Sequence, residues 1–303
     1  MSSGKRVNQI AIVGTALFLF VSQALASGSS LTACNATIAQ PTPDSSQTAC
    51  DNPAANQQVR AAMRLVCFQG QQEQSSPVVQ RVIVIGFLGG FVGHDDANHP
   101  EVWFAKYLRE RYSSSSIFVD VFSNHEESIA LHRVLSLLDT NCDGTLSDLE
   151  KKQARVIIYG HSWGASETAA FARDLGSRGI PVLLTAQIDI VPKPHQKSFE
   201  IPSNVEHAVN FFQSSGGFLH GQPRITADNP AQTKIEGNFP MSYRNHHIDC
   251  GNFPWFARTF NKPHHEIEND PRVWNQIKLL IDSSLRPQSP DSLAFLAAQL
   301  SGY

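Results

Sequence analysis

Short apolar runs alternate along most of this chain with stretches whose apolar residues recur every three to four positions. "VVQRVIVIGFLGG" (78–90) is β-branched and stops at glycines, which predicts a strand buried on both faces. "EVWFAKYLRER" (101–111) follows with helical spacing, and "SIFVDVF" (116–122) reads as a second strand. In "EESIALHRVLSLL" (126–138), Ile129, Leu131, Val134, Leu135 and Leu138 recur near the helical period and predict one apolar helix face. "RVIIY" (155–159) is a strand, followed by a helix over about 163–176 and by strands in "PVLLTAQIDIV" (181–191) and "VEHAVNFFQ" (205–213). "TKIEGNF" (233–239) is a fainter candidate for the last strand. The final helix is the clearest: Asp270 caps it, Pro271 suits its first turn, and Val273, Trp274, Ile277, Leu280 and Ile281 line one face. Strands alternating with helices predict an α/β fold with a mostly parallel central sheet and helices on both faces.

The first 76 residues have a different texture. Lys5 and Arg6 precede an apolar run, "IAIVGTALFLFVS" (10–22), and "ALA" (24–26) supplies small residues for cleavage, so 1–26 read as a signal peptide. The run is too short for a comfortable membrane span, and no stable span is expected after cleavage. A rival processing site is "LTAC" (31–34), which resembles a bacterial lipobox and would make Cys34 a lipid-bearing first residue. Residues 27–76, rich in Ser, Gln, Thr, Pro and Ala, form a low-complexity extension with one short helix expected over 56–68. Residues 77–303 are left as one domain, a length that supports a sizeable single core.

Charge and cysteine usage narrow the class. The formal net charge is −3, with no basic run, which sets nucleic-acid binding aside. Five cysteines, at 34, 50, 67, 142 and 250, suit an oxidising compartment, secreted or periplasmic, where most would pair and one would be left over. There is no CxxC, so a zinc-ribbon or redox motif is not expected; a staple near the N-terminal segment is, with connectivity open.

"RVIIYGHSWGASE" (155–167) carries the chemistry. G-x-S-x-G between a buried strand and a helix is a nucleophile elbow, a turn so sharp that only very small residues fit two positions either side of the serine. Gly160 and Gly164 hold those places, and the turn lifts the Ser162 hydroxyl above the sheet edge. The helix that follows aims its positive end at the site, and the Trp163 N–H lies where an oxyanion would form. A second N–H is expected from the Gly-rich turn after "VIVIGFLGG", with Phe87 as the candidate donor and Leu88 next.

On these motifs, "GHSWG" and the earlier "IGFLGG", the segment from about 78 to 283 resembles the α/β-hydrolase family, and within it the lipase and esterase branches. The resemblance covers roughly two-thirds of the chain and implies an eight-stranded, mostly parallel sheet with a triad in the order Ser, Asp or Glu, His. The acid should follow a later strand: Asp189 fits and Asp228 is the runner-up. The histidine should precede the final helix, which favours His264, with His265 and the His246–His247 pair as alternatives.

"DTNCDGTLSDLE" (139–150) is a twelve-residue EF-hand loop pattern. Asp139, Asn141, Asp143, Thr145, Ser147 and Glu150 hold its ligand positions, and Gly144 its turn. Because the loop enters the strand that carries Ser162, it belongs at the opposite edge of the sheet, and calcium there is expected to be structural. The reading is thus an exported serine hydrolase of small-molecule or lipid carboxylic esters, its oligomeric state open. The alternatives are a thioesterase or amidase with the same triad, or a non-catalytic calcium-binding envelope protein on a hydrolase scaffold.

Overall fold

Each β-branched run serves two cores at once. In β1 (Val82–Leu88), Val82, Val84 and Leu88 point to one face of the sheet, and Ile83, Ile85 and Phe87 to the other; all are buried. The computed structural model describes residues 81–193, 199–215, 219–251, 253 and 261–285. The expected signal peptide, the extension with its helix over 56–68, and Cys34, Cys50 and Cys67 lie outside the described residues.

After β1 come α1 (Pro100–Arg111), β2 (Ile117–Ser123), α2 (Glu127–Leu138), a short α3 (Asp148–Lys152), β3 (Val156–His161) and α4 (Trp163–Ser177). Then follow β4 (Val182–Ile188), β5 (Glu200–Ile201), β6 (Val205–Phe212), β7 (Thr226–Ala227), β8 (Lys234–Pro240), α5 (Lys262–Glu268) and α6 (Pro271–Leu285). Six strands form one sheet in the order β2-β1-β3-β4-β6-β8, parallel throughout, and β5 pairs with β7 beside it. This is the α/β-hydrolase fold, with six strands in the described sheet where the family resemblance implied eight. The faint run at 233–239 is a true strand; its half-exposed residues, from an edge position, explain why its apolar signal is weak.

The helices divide between the faces. α1, through Phe104 and Leu108, and α6, through Val273, Ile277 and Ile281, cover the Val82/Val84 side. α2, through Ala130, Val134 and Leu138, and α4, through Ala165, Phe171 and Leu175, cover the Ile83/Ile85 side. The α6 face expected from sequence is the buried one. The Asp270 carboxylate accepts the Arg272 N–H at 2.9 Å and so caps α6 as expected. Of the face expected on α2, Val134 and Leu138 are buried and Leu131 and Leu135 pack partly against the same core, whereas Ile129 is 57% exposed and Ala130 is buried beside it.

Candidate active site

β1, β3, β4 and β6 all point their carboxyl ends the same way, so their last residues meet along one edge of the sheet. β3 ends at His161 and α4 begins at Trp163, which leaves Ser162 alone in the turn. Its φ of 58° is left-handed, a strained conformation for a residue with a Cβ. Gly160 and Gly164 make the turn possible. A Cβ on Gly160 would stand 2.5 Å from the Gly164 carbonyl carbon, and one on Gly164 would overlap the Phe87 carbonyl. The neighbouring strand fixes the turn: the Ser162 N–H donates to the Ile188 carbonyl at 3.0 Å, and the Val191 N–H donates to the Ser162 carbonyl at 3.3 Å.

Asp189 follows β4 directly, fully buried, and is also left-handed at φ 48°. The structure brings it to His264, whose Nδ1 is 2.6 Å from Asp189 Oδ2. Gln213 completes the carboxylate's shell, its backbone N–H donating to Oδ1 and its Nε2 to Oδ2, both at 2.9 Å. A Cβ on Gly221 would overlap Oδ1, so that glycine lets the loop close over the acid. His264 lies within the short helix α5 rather than in the loop expected before the final helix; Pro263 sits in its first turn. Its ring packs on that of His161, with centroids 4.4 Å apart. Burial pushes the His161 imidazole well below its ordinary range, which keeps it neutral.

Of the alternatives, His265 turns to Glu268, His247 to the carboxylate of Glu266 at 2.8 Å, and the Asp228 N–H bonds the Ile201 carbonyl in the small second sheet. Phe87 lies in the last two residues of β1, its ring edge-on to Phe171 at 5.2 Å, and the glycine packed against the Ser162 side chain is Gly89. Asn124 donates to the carbonyls of Leu88 and Gly90 and so pins this turn. Trp163, immediately after the serine, meets the exposed ring of Phe91 edge-on at 5.3 Å, which gives the site an aromatic rim. Gln213 and Asn124 escaped the sequence reading because a lone amide carries no motif.

A second buried group adjoins the first. The ligand-type atoms of His99, Glu101 and Glu268 all lie within 4.8 Å of one another. His161 Nδ1 faces the same two carboxylates, at 3.4 Å from Glu268 and 3.9 Å from Glu101.

The loop at 139–150 is closed by its own hydrogen bonds. The Asp139 carboxylate accepts the N–H groups of Asp143 and Gly144, at 3.2 and 2.9 Å, and Gly144 takes a φ of 84°. Asn141 and Thr145 bond the Asp143 carboxylate. Glu150 forms a capping box with Ser147 on one oxygen and holds Thr140 with the other. The turn and Asp139 suit an ion, whereas Glu150 must leave Thr140 and Ser147 to reach one. Cys142, inside this loop, is disulfide-bonded, and Cys250 is free and buried.

No protein-family model matches the chain, and no curated protein matches it in sequence. Among solved structures, a cutinase-like protein from Cryptococcus sp. is similar at 13% identity, over 71% of this chain and 99% of that one, with a TM-score of 0.38. A Trichoderma reesei cutinase in complex with a C11Y4 phosphonate inhibitor is 11% identical over 78% of this chain and 90% of its own, TM-score 0.32. An uncharacterized protein from Pseudomonas aeruginosa is 11% identical, with 63% of this chain covering 44% of that one, TM-score 0.30.

Proposed function

We propose that this protein is a serine hydrolase that cleaves carboxylic esters through an acyl-enzyme on Ser162. The observation that carries the reading is the Asp189–His264 bond at 2.6 Å on the sheet edge where the strained Ser162 stands. A buried carboxylate on Nδ1 fixes the imidazole tautomer, leaving Nε2 to take a proton from the serine hydroxyl. The Ser162 oxygen then attacks the ester carbonyl. The oxyanion is held by the Trp163 N–H, at the start of the fifteen-residue α4, and by the N–H of Phe87 or, next to it, Leu88 at the end of β1. His264 returns the proton to the leaving alcohol, and water repeats the sequence to release the acid. The Phe91–Trp163 rim favours an apolar small-molecule or lipid ester.

Ser162→Ala is expected to abolish turnover of a short p-nitrophenyl ester and labelling by a fluorophosphonate, with the melting temperature nearly unchanged. Retained turnover in that variant overturns the assignment.

Two further elements belong to this reading. The basic and apolar segments at the start of the chain and the disulfide at Cys142 support export, to be checked by the mass of the mature chain. The Asp139–Glu150 loop takes calcium as a structural ion, supported by its full ligand pattern and its Gly144 turn. Calcium is expected to raise the melting temperature and a calcium chelator to lower it; identical curves remove the ion from the account.

A further inference from the structure

Behind the Ser162 turn stand ionisable groups for which ester cleavage has no use. His99 and Glu101 flank Pro100 at the start of α1, and His265 and Glu268 lie three residues apart on α5, hence on one face. His161 closes β3 between them. Glu101 is 0% and Glu268 1% exposed, and among the described residues no lysine or arginine pairs with either. Phe253 covers the group from outside, its ring 4.3 Å from that of His265 and 5.2 Å from that of His99.

Two carboxyl groups this deep need either a positive centre or a shared proton between them. The distances indicate which. His99 Nδ1 lies 2.6 Å from Glu268 Oε1, an ordinary hydrogen bond. The other separations are longer: Glu268 Oε2 is 3.4 Å from both His161 Nδ1 and His265 Nδ1, and Glu101 Oε1 is 3.9 Å from His161 Nδ1. Neither oxygen of Glu101 has a hydrogen-bond partner among the described residues. Ligand atoms about 2.0–2.1 Å from a tetrahedral zinc ion stand roughly 3.3–3.4 Å from one another, too far for a good hydrogen bond; the two separations from Glu268 Oε2 match this, and the one between Glu101 and His161 is 0.5 Å longer.

We propose that this pocket holds a zinc ion, bound by His161 Nδ1, His265 Nδ1, Glu268 Oε2 and Glu101 Oε1. Two carboxylates and two neutral imidazoles cancel the charge of a divalent ion. His99, on the other oxygen of Glu268, holds that ligand in orientation. Mixed nitrogen and oxygen donors at four-coordinate spacing suit zinc; calcium and magnesium take six or more oxygens. The four ligands close the coordination sphere, so the ion is structural. It clips α1, β3 and α5 together and touches the neighbours in sequence of both Ser162 and His264. The site does not depend on Ser162 being a nucleophile.

The test uses the full mature chain, stripped with a zinc-selective chelator in calcium-containing buffer and then titrated with zinc or cobalt(II). One tightly held zinc per chain after gel filtration, a rise in melting temperature, and the intense visible bands of four-coordinate cobalt are expected. Affinity is expected to fall at least about hundredfold in Glu268→Gln and in His265→Gln, with Ser162→Ala and the exposed-site control His246→Gln unchanged. The second ligand variant, its fold checked by circular dichroism, keeps the test sound if the first does not fold. Wild-type protein that is folded yet binds no stoichiometric zinc, or ligand variants that retain the ion, overturn the proposal and leave a proton shared by the two carboxylates.

Discussion

At Gly164 an added Cβ would overlap the carbonyl of Phe87, whereas at Gly90, with φ 53°, a Cβ would meet nothing within 4 Å. The two glycines therefore answer to different physics, steric in one case and conformational in the other. Gly164→Ala must move backbone and is expected to cost about 3 kcal/mol. Gly90→Ala carries only left-handed strain, roughly 1 kcal/mol. Chemical denaturation of both variants checks the difference, and equal costs would mean that the β1–α4 contact is loose. At this scale the strand–turn–helix pattern marks Ser162, Asp189 and His264 as candidates, and the fold brings the last two into contact. Gln213 and Asn124 were not, since their roles come from loops that approach from remote parts of the chain. The histidine–carboxylate pairs at 99/101 and 265/268 are visible as spacings in sequence, but only the fold shows that they share one pocket.

Among the elements, α2 shows where periodicity runs out. Ile129 and Val134 both fitted one apolar face, yet Ile129 is 57% exposed and Val134 is fully buried. The stripe Ala130, Val134, Leu138 follows strict i, i+4 spacing, and a small alanine at its head carries little weight in a hydrophobic pattern. Val134→Ala is expected to destabilise by about 2 kcal/mol and Ile129→Ala by under about 0.5 kcal/mol, read from urea midpoints. A reversed order would place the α2 contact on the wrong face. The helix around His264 was missed for a related reason: α5 is only seven residues long, too short to display a period.

Over the whole molecule, the parallel sheet and its two helical layers were readable because strands buried on both faces leave long β-branched runs. The edge strand β8 was faint, and a charged pair joins it to its neighbour. His207 on β6 lies 2.5 Å from Glu236 on β8. Its bond to Glu236 raises the His207 imidazole above its ordinary value despite partial burial. For Glu236, burial acts upward, but hydrogen bonds from His207 and Lys234 outweigh it and hold the carboxyl low. The histidine's contribution is complete below its ordinary 6.5 and is lost as pH rises through its raised value. The carboxylate's contribution is complete above its ordinary 4.5 and is lost as pH falls through its lowered value. The melting-temperature gap between wild type and His207→Gln is therefore expected to be widest between pH 4.5 and 6.5 and to narrow on either side; a gap independent of pH would show that only packing is lost. The left-handed backbone at Ser162 bears on the same balance. Glycine there would relax what alanine cannot, so Ser162→Gly should outlast Ser162→Ala by roughly 1 kcal/mol, or about 3 °C. Folding energy thus pulls against any side chain at this position, so the turn is held at a standing cost that only glycine would remove.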